Sequence, residues 1–229
     1  MSRENPLWGS ERIRGELLKL GLEISNRSIR RYRWRGHPRP PSPTWRAFLA
    51  NHRPRIWAAD FFVVHTLTFR TLHVLFFIAH GRRELAHFAV TSHPTAAWVW
   101  RQYIEATPRG ASPRYLIRDR DAAYGADFSE RARRQGTETL LTPIRAPRAN
   151  AIAERMVRTF RRECLDHLLV LNERHLRSVL GEFVRYYNRD RPHRTLRLET
   201  PQPTARPAGG TVRARPILGG LHHVYERAA

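Results

Sequence analysis

Three acidic residues stand where the surrounding sequence predicts burial or a strongly basic surface. Asp60 lies inside the apolar run IWAADFFVV, Asp119 ends the run YLIRD, and Glu154 lies among arginines in PRANAIAERMVRTFRR. A buried carboxylate is costly unless it is hydrogen-bonded, paired or bound to a metal. The three acids together therefore indicate a site for divalent cations, for which carboxylate oxygens are preferred ligands.

Two of these acids have competing interpretations. Asp60 in a strand is also explained as a structural aspartate, held by backbone hydrogen bonds or by an arginine. Asp121 competes with Asp119, because the two lie on the same side of an extended chain and either is able to reach a cation. The residues alone leave both questions open.

The stretch around Glu154 has an apolar helical period and one polar edge. A projection at about 100° per residue puts Asn150, Glu154, Arg158 and Arg161 together on that edge, beside the apolar stripe. Glu154 and Arg158 equally fit an ordinary i,i+4 ion pair, which would contribute only a few tenths of a kcal/mol. The polar edge is therefore explained either as a functional surface or as an ordinary intrahelical ion pair.

The charge balance predicts an acidic partner. The chain has 229 residues with 41 Lys+Arg against 20 Asp+Glu, a formal net charge of +21, and Lys19 is its only lysine. Guanidinium groups suit bidentate contact with phosphate, so nucleic acid is the first candidate. Codon bias is a second explanation for arginine over lysine, but not for the net charge. The residues expected to contact DNA are Arg30, Arg31, Arg145, Arg148, Asn150, Arg158 and Arg161.

Cysteine usage and hydropathy exclude several classes of protein. Cys164 is the only cysteine, so the sequence predicts neither an intrachain disulfide nor a zinc site built on a cysteine pair. No apolar run has the length needed to cross a bilayer, and MSRENPLWGS lacks the apolar core of a signal peptide. We expect a cytoplasmic protein without membrane contact.

The N-terminal part reads as a small helical unit. Residues 7–36 predict two short helices, with Ser10 and Ser25 as N-caps and Gly21 as the break. A helix-turn-helix and a solvated basic hairpin both fit this pattern. Residues 36–54 contain five prolines and predict a linker with one anchoring turn.

The main part reads as an α/β domain. Three apolar, β-branched runs from Arg55 onward predict an antiparallel meander, followed by helix, strand, helix, strand and two helices. This order predicts a mixed sheet with helices packed on it. Beyond Arg189 the chain is rich in proline and arginine, and residues 200–216 look loosely ordered.

Several separated motifs resemble the catalytic domain of insertion-sequence transposases and retroviral integrases, the DDE family. WAADFF is similar to the strand of the first acid, DRDAAY to the second-acid motif, and PRANAIAE to the segment with the family's Asn and Glu. WGSERIRGELLKLGLEISNRSIRR resembles the preceding helix-turn-helix, and YYNRDRPHRTL the closing tract. Between Asp119 and Glu154 lie 34 residues, one fewer than is usual in these families. Between Asp121 and Glu154 lie 32 residues. Motif and spacing both favour Asp119.

The resemblance implies a ribonuclease H-like fold with a mixed five-stranded sheet, flanking helices and a small N-terminal helix-turn-helix. The expected segments are a helix-turn-helix at 1–36, a Pro-rich linker at 37–54, an integrase catalytic core at 55–198 and a basic tail at 199–229. Asp60, Asp119 and Glu154 would be the catalytic residues and would hold two Mg²⁺ or Mn²⁺ ions. The implied activity is hydrolysis at element ends followed by strand transfer into target DNA.

Two other functions remain open on the sequence. A catalytically decayed, domesticated DNA-binding protein would keep the basic surface without activity, and a plain nuclease of the same fold would cleave without joining. The cysteines of the zinc-binding domain of retroviral integrases are absent. The expected partners are double-stranded DNA, further copies of the chain on that DNA and, as one option, a separate DNA-binding subunit.

Overall fold

The computed structural model describes residues 5, 8–32, 45–108, 112–142, 150–205 and 209–228. It contains two compact units, Met1–Phe48 and Leu49–Ala229. Across the described residues, no helix combines the length and apolar character that a membrane span requires. The expected boundaries at residues 36, 54 and 198 stay predictions.

The N-terminal unit contains the two expected helices, α1 (Ser10–Lys19) and α2 (Asn26–Tyr32). Residues 37–44 of the expected linker lie outside the described residues, and a helix, α3 (Trp45–His52), occupies the part where one anchoring turn was expected. Ile13 and Ile29 are the buried apolar residues of the pair. Ser25 caps α2 as expected, because its Oγ accepts the Ser28 N–H at 3.1 Å. The predicted Ser10 cap is wrong: Gly9 occupies the N-cap position, and the Ser10 Oγ instead accepts the Arg30 Nε–H at 3.3 Å.

In the described part of the second unit, five strands form one mixed sheet in the order β3-β2-β1-β4-β5. The strands are β1 (Ile56–His65), β2 (Thr71–Ala79), β3 (Leu85–Thr91), β4 (Tyr115–Arg118) and β5 (Glu138–Leu141). β1, β2 and β3 pair antiparallel as the predicted meander, whereas β4 and β5 run parallel to β1. β1 is therefore central, which explains why it is apolar on both faces.

Helices α4 (Ala96–Ala106) and α5 (Phe128–Arg134) cover one face of this sheet. Their buried side chains form one apolar cluster with the sheet residues Ala59, Leu75, Phe77 and Leu116. On β1 this is the face of the odd-numbered residues, because successive strand side chains alternate. Because the odd-numbered residues of β1 face this cluster, its even-numbered residues face the opposite side of the sheet.

Helices α6 (Ala151–Glu163) and α7 (Glu173–Arg189) cover the opposite face. The Phe160 ring on α6 lies 5.1 Å from the Phe62 ring and 5.6 Å from the Phe76 ring, measured between centroids. Phe183 on α7 continues this aromatic stack at 5.6 Å from Phe160. Even-numbered residues of β1, which include Asp60, thus face α6.

The C-terminal residues form an antiparallel hairpin of β6 (Val212–Ile217) and β7 (His222–Arg227). The His222 ring stacks on Tyr186 of α7 at 4.8 Å, and the Leu218 N–H donates to a Glu182 carboxylate oxygen at 2.7 Å. The interpretation of 200–216 as loosely ordered is wrong for the β6 part. These contacts with α7 supply the stability that the local sequence does not indicate.

Candidate active site

Asp60 lies on the central strand, on the face that α6 covers. Its carboxylate accepts the Phe61 N–H at 2.9 Å. The pKa of Asp60 is raised from 3.8 to about 7, chiefly by burial and to a lesser extent by the neighbouring carboxylates of Asp119, Glu154 and Asp121, against the effect of the Phe61 hydrogen bond. The Asp60 carboxyl group is therefore both desolvated and surrounded by other acids.

Asp119 follows the end of β4 and lies level with Asp60. The parallel register pairs Ala58 with Ile117, so two further residues along each strand bring Asp60 beside Asp119 with both side chains on one face. Burial raises the pKa of Asp119, as does the charge of Asp121. The two acids thus lie side by side just beyond the end of the β1–β4 pairing.

Asp121 has a local structural role. Its Oδ1 accepts the Ala123 N–H at 2.8 Å and so caps the short 3₁₀ turn Ala122–Tyr124. The Asp121 N–H in turn donates to Asp119 Oδ1 at 3.2 Å. Asp121 is exposed, whereas Asp119 is half-buried. This geometry favours Asp119 over Asp121 as the partner of Asp60.

Glu154 lies in the first turn of α6 and is exposed. The helix is attached along β1 at two points besides Phe160: Asn150 Nδ2–H donates to the Ala59 carbonyl at 3.4 Å, and Arg161 Nη2–H donates to the Val63 carbonyl at 3.2 Å. These contacts place the first turn of α6 beside Asp60, whose pKa Glu154 raises. A first-turn position also favours an acid because of the helix dipole.

The polar edge of α6 has members with different roles. Asn150 is the N-cap residue and is buried, with a relative exposure of 6%. Arg158 is exposed, and among the described residues no ion pair joins it to Glu154. The simple i,i+4 pair is therefore not what holds Glu154. Arg161 reaches the β1 backbone.

Four other residues expected to contact DNA divide into two groups. Arg30 and Arg31 are exposed on α2, and the Arg31 guanidinium lies 5.6 Å from the Tyr32 ring centroid. Arg145 and Arg148 lie outside the described residues.

Sequence reasoning missed Arg118, which supports Asp119 from the opposite face. Arg118 is buried, donates to the Asp119 carbonyl and to Ser129 Oγ at 3.0 Å each, and lies 4.5 Å from the Tyr124 ring centroid. Burial and the charges of Asp119 and Asp60 raise the pKa of the Tyr124 hydroxyl well above its usual value. A charged residue inside the short apolar strand YLIR was the available signal.

The donor set fits a hard divalent cation by its chemistry. In the described part of the chain, no three or more His, Cys, Asp or Glu side chains are grouped closely enough to hold a metal ion. The acids nevertheless raise the pKa of Asp60, and such mutual repulsion is relieved by a cation with oxygen ligands. Asn150 Oδ1, buried beside this edge, has no hydrogen-bond partner among the described groups. Asp60 and Asp119 are thus the best-placed ligands.

Comparison with known sequences finds similarity to an integrase core family and to an insertion-element protein. Residues 135–201 match the family described as Integrase core domain. Over 151 residues, 63% of this chain, the sequence is 29% identical to an uncharacterized 39.2 kDa protein of insertion element IS476 from Xanthomonas euvesicatoria. The chain spans 42% of the length of that relative.

The fold is similar to that of a solved structure. The chain is similar to one chain of the simian T-cell lymphotropic virus intasome in complex with PP2A regulatory subunit B56 gamma, with a TM-score of 0.54 and 11% identity over 76% of this chain and 67% of that chain. The catalytic core domain of BIV integrase gives a TM-score of 0.48 and 15% identity over 65% of this chain and 91% of that domain. The predicted ribonuclease H-like fold and the resemblance to integrase and transposase cores are confirmed.

Proposed function

We propose that this chain is the catalytic part of a DNA transposase or integrase that hydrolyses element ends and joins them to target DNA. The observation that carries the proposal is the placement of Asp60 level with Asp119 on one face of adjacent parallel strands, under the helix that carries Glu154. Two half-buried acids on one edge, inside a chain of net charge +21, combine cation ligands with attraction for a polyanion.

Asp60, Asp119 and Glu154 would hold Mg²⁺ or Mn²⁺, with two ions expected from the family resemblance. Bound cations of this kind acidify an attacking water or 3′-hydroxyl and stabilise the leaving 3′-oxygen. Asp60 must lose its proton before it binds a cation, because its pKa is near 7 without one. Asn150 and Arg161 position α6, and hence Glu154, through their contacts with β1.

The proposed reaction needs no covalent enzyme intermediate. In the first step a water oxygen bonds to phosphorus at the element end, and the bond to the 3′-oxygen breaks to leave a free 3′-hydroxyl. In the second step that 3′-oxygen bonds to a target phosphorus and displaces the target's own 3′-oxygen, which takes up a proton. The number of phosphodiester bonds is conserved in the second step, so no external energy source is required.

Strand transfer from a labelled donor duplex tests the proposal. Genomic fragments captured by the wild-type protein supply donor ends, and Mg²⁺ or Mn²⁺ is added to start the reaction. We expect cleavage and joining by wild type, loss of both in Asp60→Asn, Asp119→Asn and Glu154→Gln, and retained duplex binding in all three. Each substitution removes a ligand charge at nearly constant shape.

The other outcomes separate the competing functions. Binding without cleavage or joining by wild type would indicate a decayed DNA-binding protein, and cleavage without joining would indicate a nuclease. Activity that survives Asp119→Asn but is lost in Asp121→Asn would assign the second acid to Asp121. The proposed DNA partner, self-association on DNA and nucleoid location rest on this same activity.

A further inference from the structure

A second site, lined by arginines instead of acids, lies on another flank of α6. A cavity of about 560 Å³ is lined by residues of α6, the end of β2, the β2–β3 turn and the segment after α7. Four arginines contribute to the lining, Arg83, Arg155, Arg191 and Arg194, and no acid does so among the described residues. Glu154 does not line the cavity, to which α6 contributes Ala151, Ile152, Arg155, Met156 and Thr159.

Little negative charge balances these arginines. Arg191 forms a bidentate pair with Glu163, at 2.6 Å from Nε and 2.5 Å from Nη2. Within the described part of the chain, Arg83 forms neither a hydrogen bond nor an ion pair, although it is only partly exposed. Burial, then the charges of Arg53 and Arg155, lower the pKa of the Arg83 guanidinium. The cavity therefore holds guanidinium groups that repel one another.

Neighbouring histidines report the same positive potential. Burial and then the charges of Arg83 and Arg53 lower the pKa of His80 to about 3. Burial also lowers the pKa of His193, which lines the cavity, and the charges of Arg191 and Arg83 act in the same direction. Both imidazoles are thus neutral at physiological pH, and the positive charge of the cavity resides on its arginines.

We propose that this cavity binds a phosphodiester group of the nucleic-acid backbone through Arg83 and Arg155. An unpaired, partly buried guanidinium in a concave surface without acids is suited to a bidentate phosphate contact. Because α6 carries Glu154 on one flank and Arg155 on the next, one DNA strand crossing the start of the helix reaches both. This inference rests on the proposed function for the identity of the ligand.

Binding of a fluorescent duplex of about 30 base pairs, followed by anisotropy over a salt series in EDTA, tests the site. We expect Arg83→Gln and Arg155→Gln each to weaken binding roughly tenfold and to reduce the slope of log affinity against log salt by about one. Arg174→Gln is the matched control, since Arg174 is exposed on α7 and does not line the cavity. It should change affinity by no more than roughly twofold.

Two further measurements separate a phosphate contact from a structural role. The melting temperature of Arg83→Gln should equal or exceed that of wild type, because the substitution relieves repulsion. In a series of duplexes, one phosphate at a time is replaced by a neutral methylphosphonate. At one position in the series, the replacement should weaken binding by wild type but not by Arg83→Gln. Arg155 is exposed, so its variant keeps the test valid if Arg83→Gln does not fold.

Equal effects of Arg83→Gln, Arg155→Gln and Arg174→Gln would overturn the site. A second outcome would overturn the assignment of the cavity to nucleic acid: inorganic phosphate stabilises wild type, but Arg83→Gln and Arg155→Gln do not change duplex binding. Catalysis is absent in EDTA, so a failed strand-transfer assay leaves this result interpretable. Conversely, normal joining with unaffected binding in both cavity variants would refute the cavity site and leave the proposed function intact.

Discussion

Replacement of Asp60 by asparagine should stabilise the metal-free protein while it removes activity. The folded-state pKa of about 7 lies above the ordinary 3.8, so the folded protein holds the proton to higher pH than the unfolded chain. The stability of wild type therefore falls as pH rises from about 4 to about 7, and the full cost is present above pH 7. The difference between the two pKa values corresponds to about 4 kcal/mol.

Asparagine avoids this cost because it is neutral at every pH and its Oδ1 still accepts the Phe61 N–H. We expect the free energy of unfolding of Asp60→Asn to exceed that of wild type by about 1.5 kcal/mol at pH 5 and by about 4 kcal/mol at pH 8. Urea denaturation in EDTA, followed by tryptophan fluorescence, measures both values.

Asp127→Asn is the control for the loss of one negative charge, because Asp127 is exposed and its side chain makes no capping hydrogen bond to α5. Its effect should stay within about 0.5 kcal/mol at both pH values. An Asp60→Asn protein that is no more stable than wild type at pH 8, or whose advantage does not grow with pH, would refute the reasoning about Asp60.

Three other predictions follow from the charges around the site. Arg158→Ala should weaken duplex binding and slow joining with little change in melting temperature. The control Arg133→Ala should bind normally, because it loses only an exposed ion pair with Glu130 on α5. Equal losses of binding in the two variants would mean that the α6 edge has no special role. The logarithm of duplex affinity should fall steeply with the logarithm of salt concentration, and a flat response would contradict phosphate contacts. Mg²⁺ should bind wild type about tenfold more weakly at pH 6 than at pH 8, measured by its effect on melting temperature, because Asp60 must first lose its proton; equal binding would contradict the raised pKa.

The sequence predicted the sheet well where apolar patterning is local. The strand IWAADFFVV is apolar on both faces, and β1 is indeed the central strand. The parallel register between β1 and β4 was not readable, because it depends on how the intervening β2, β3 and α4 pack. That register is what brings Asp60 level with Asp119, so the sequence named both acids without placing them.

Two errors have the same physical cause. β6 has the sequence VRARPI and is exposed except at Ile217, so its own residues provide little apolar pattern. Arg118 was overlooked because an arginine at a strand end usually reaches solvent, yet this one stacks on Tyr124 and Phe128. In both cases tertiary contacts outside the element decide the outcome, and periodicity does not report on them.

The acids of the candidate active site and the arginines of the cavity both place like charges close together, with opposite signs at the two sites. Asp60 is destabilised by burial and by neighbouring carboxylates, and Arg83 by burial and by neighbouring guanidinium groups. Each repulsion costs stability in the isolated chain, and each is relieved by a ligand of the opposite sign. A cation at the acids would also reduce the repulsion of DNA phosphates by Asp60 and Glu154, while Arg83 and Arg155 attract those phosphates. Cation and DNA should therefore bind cooperatively, with α6 as the element that carries groups from both sites.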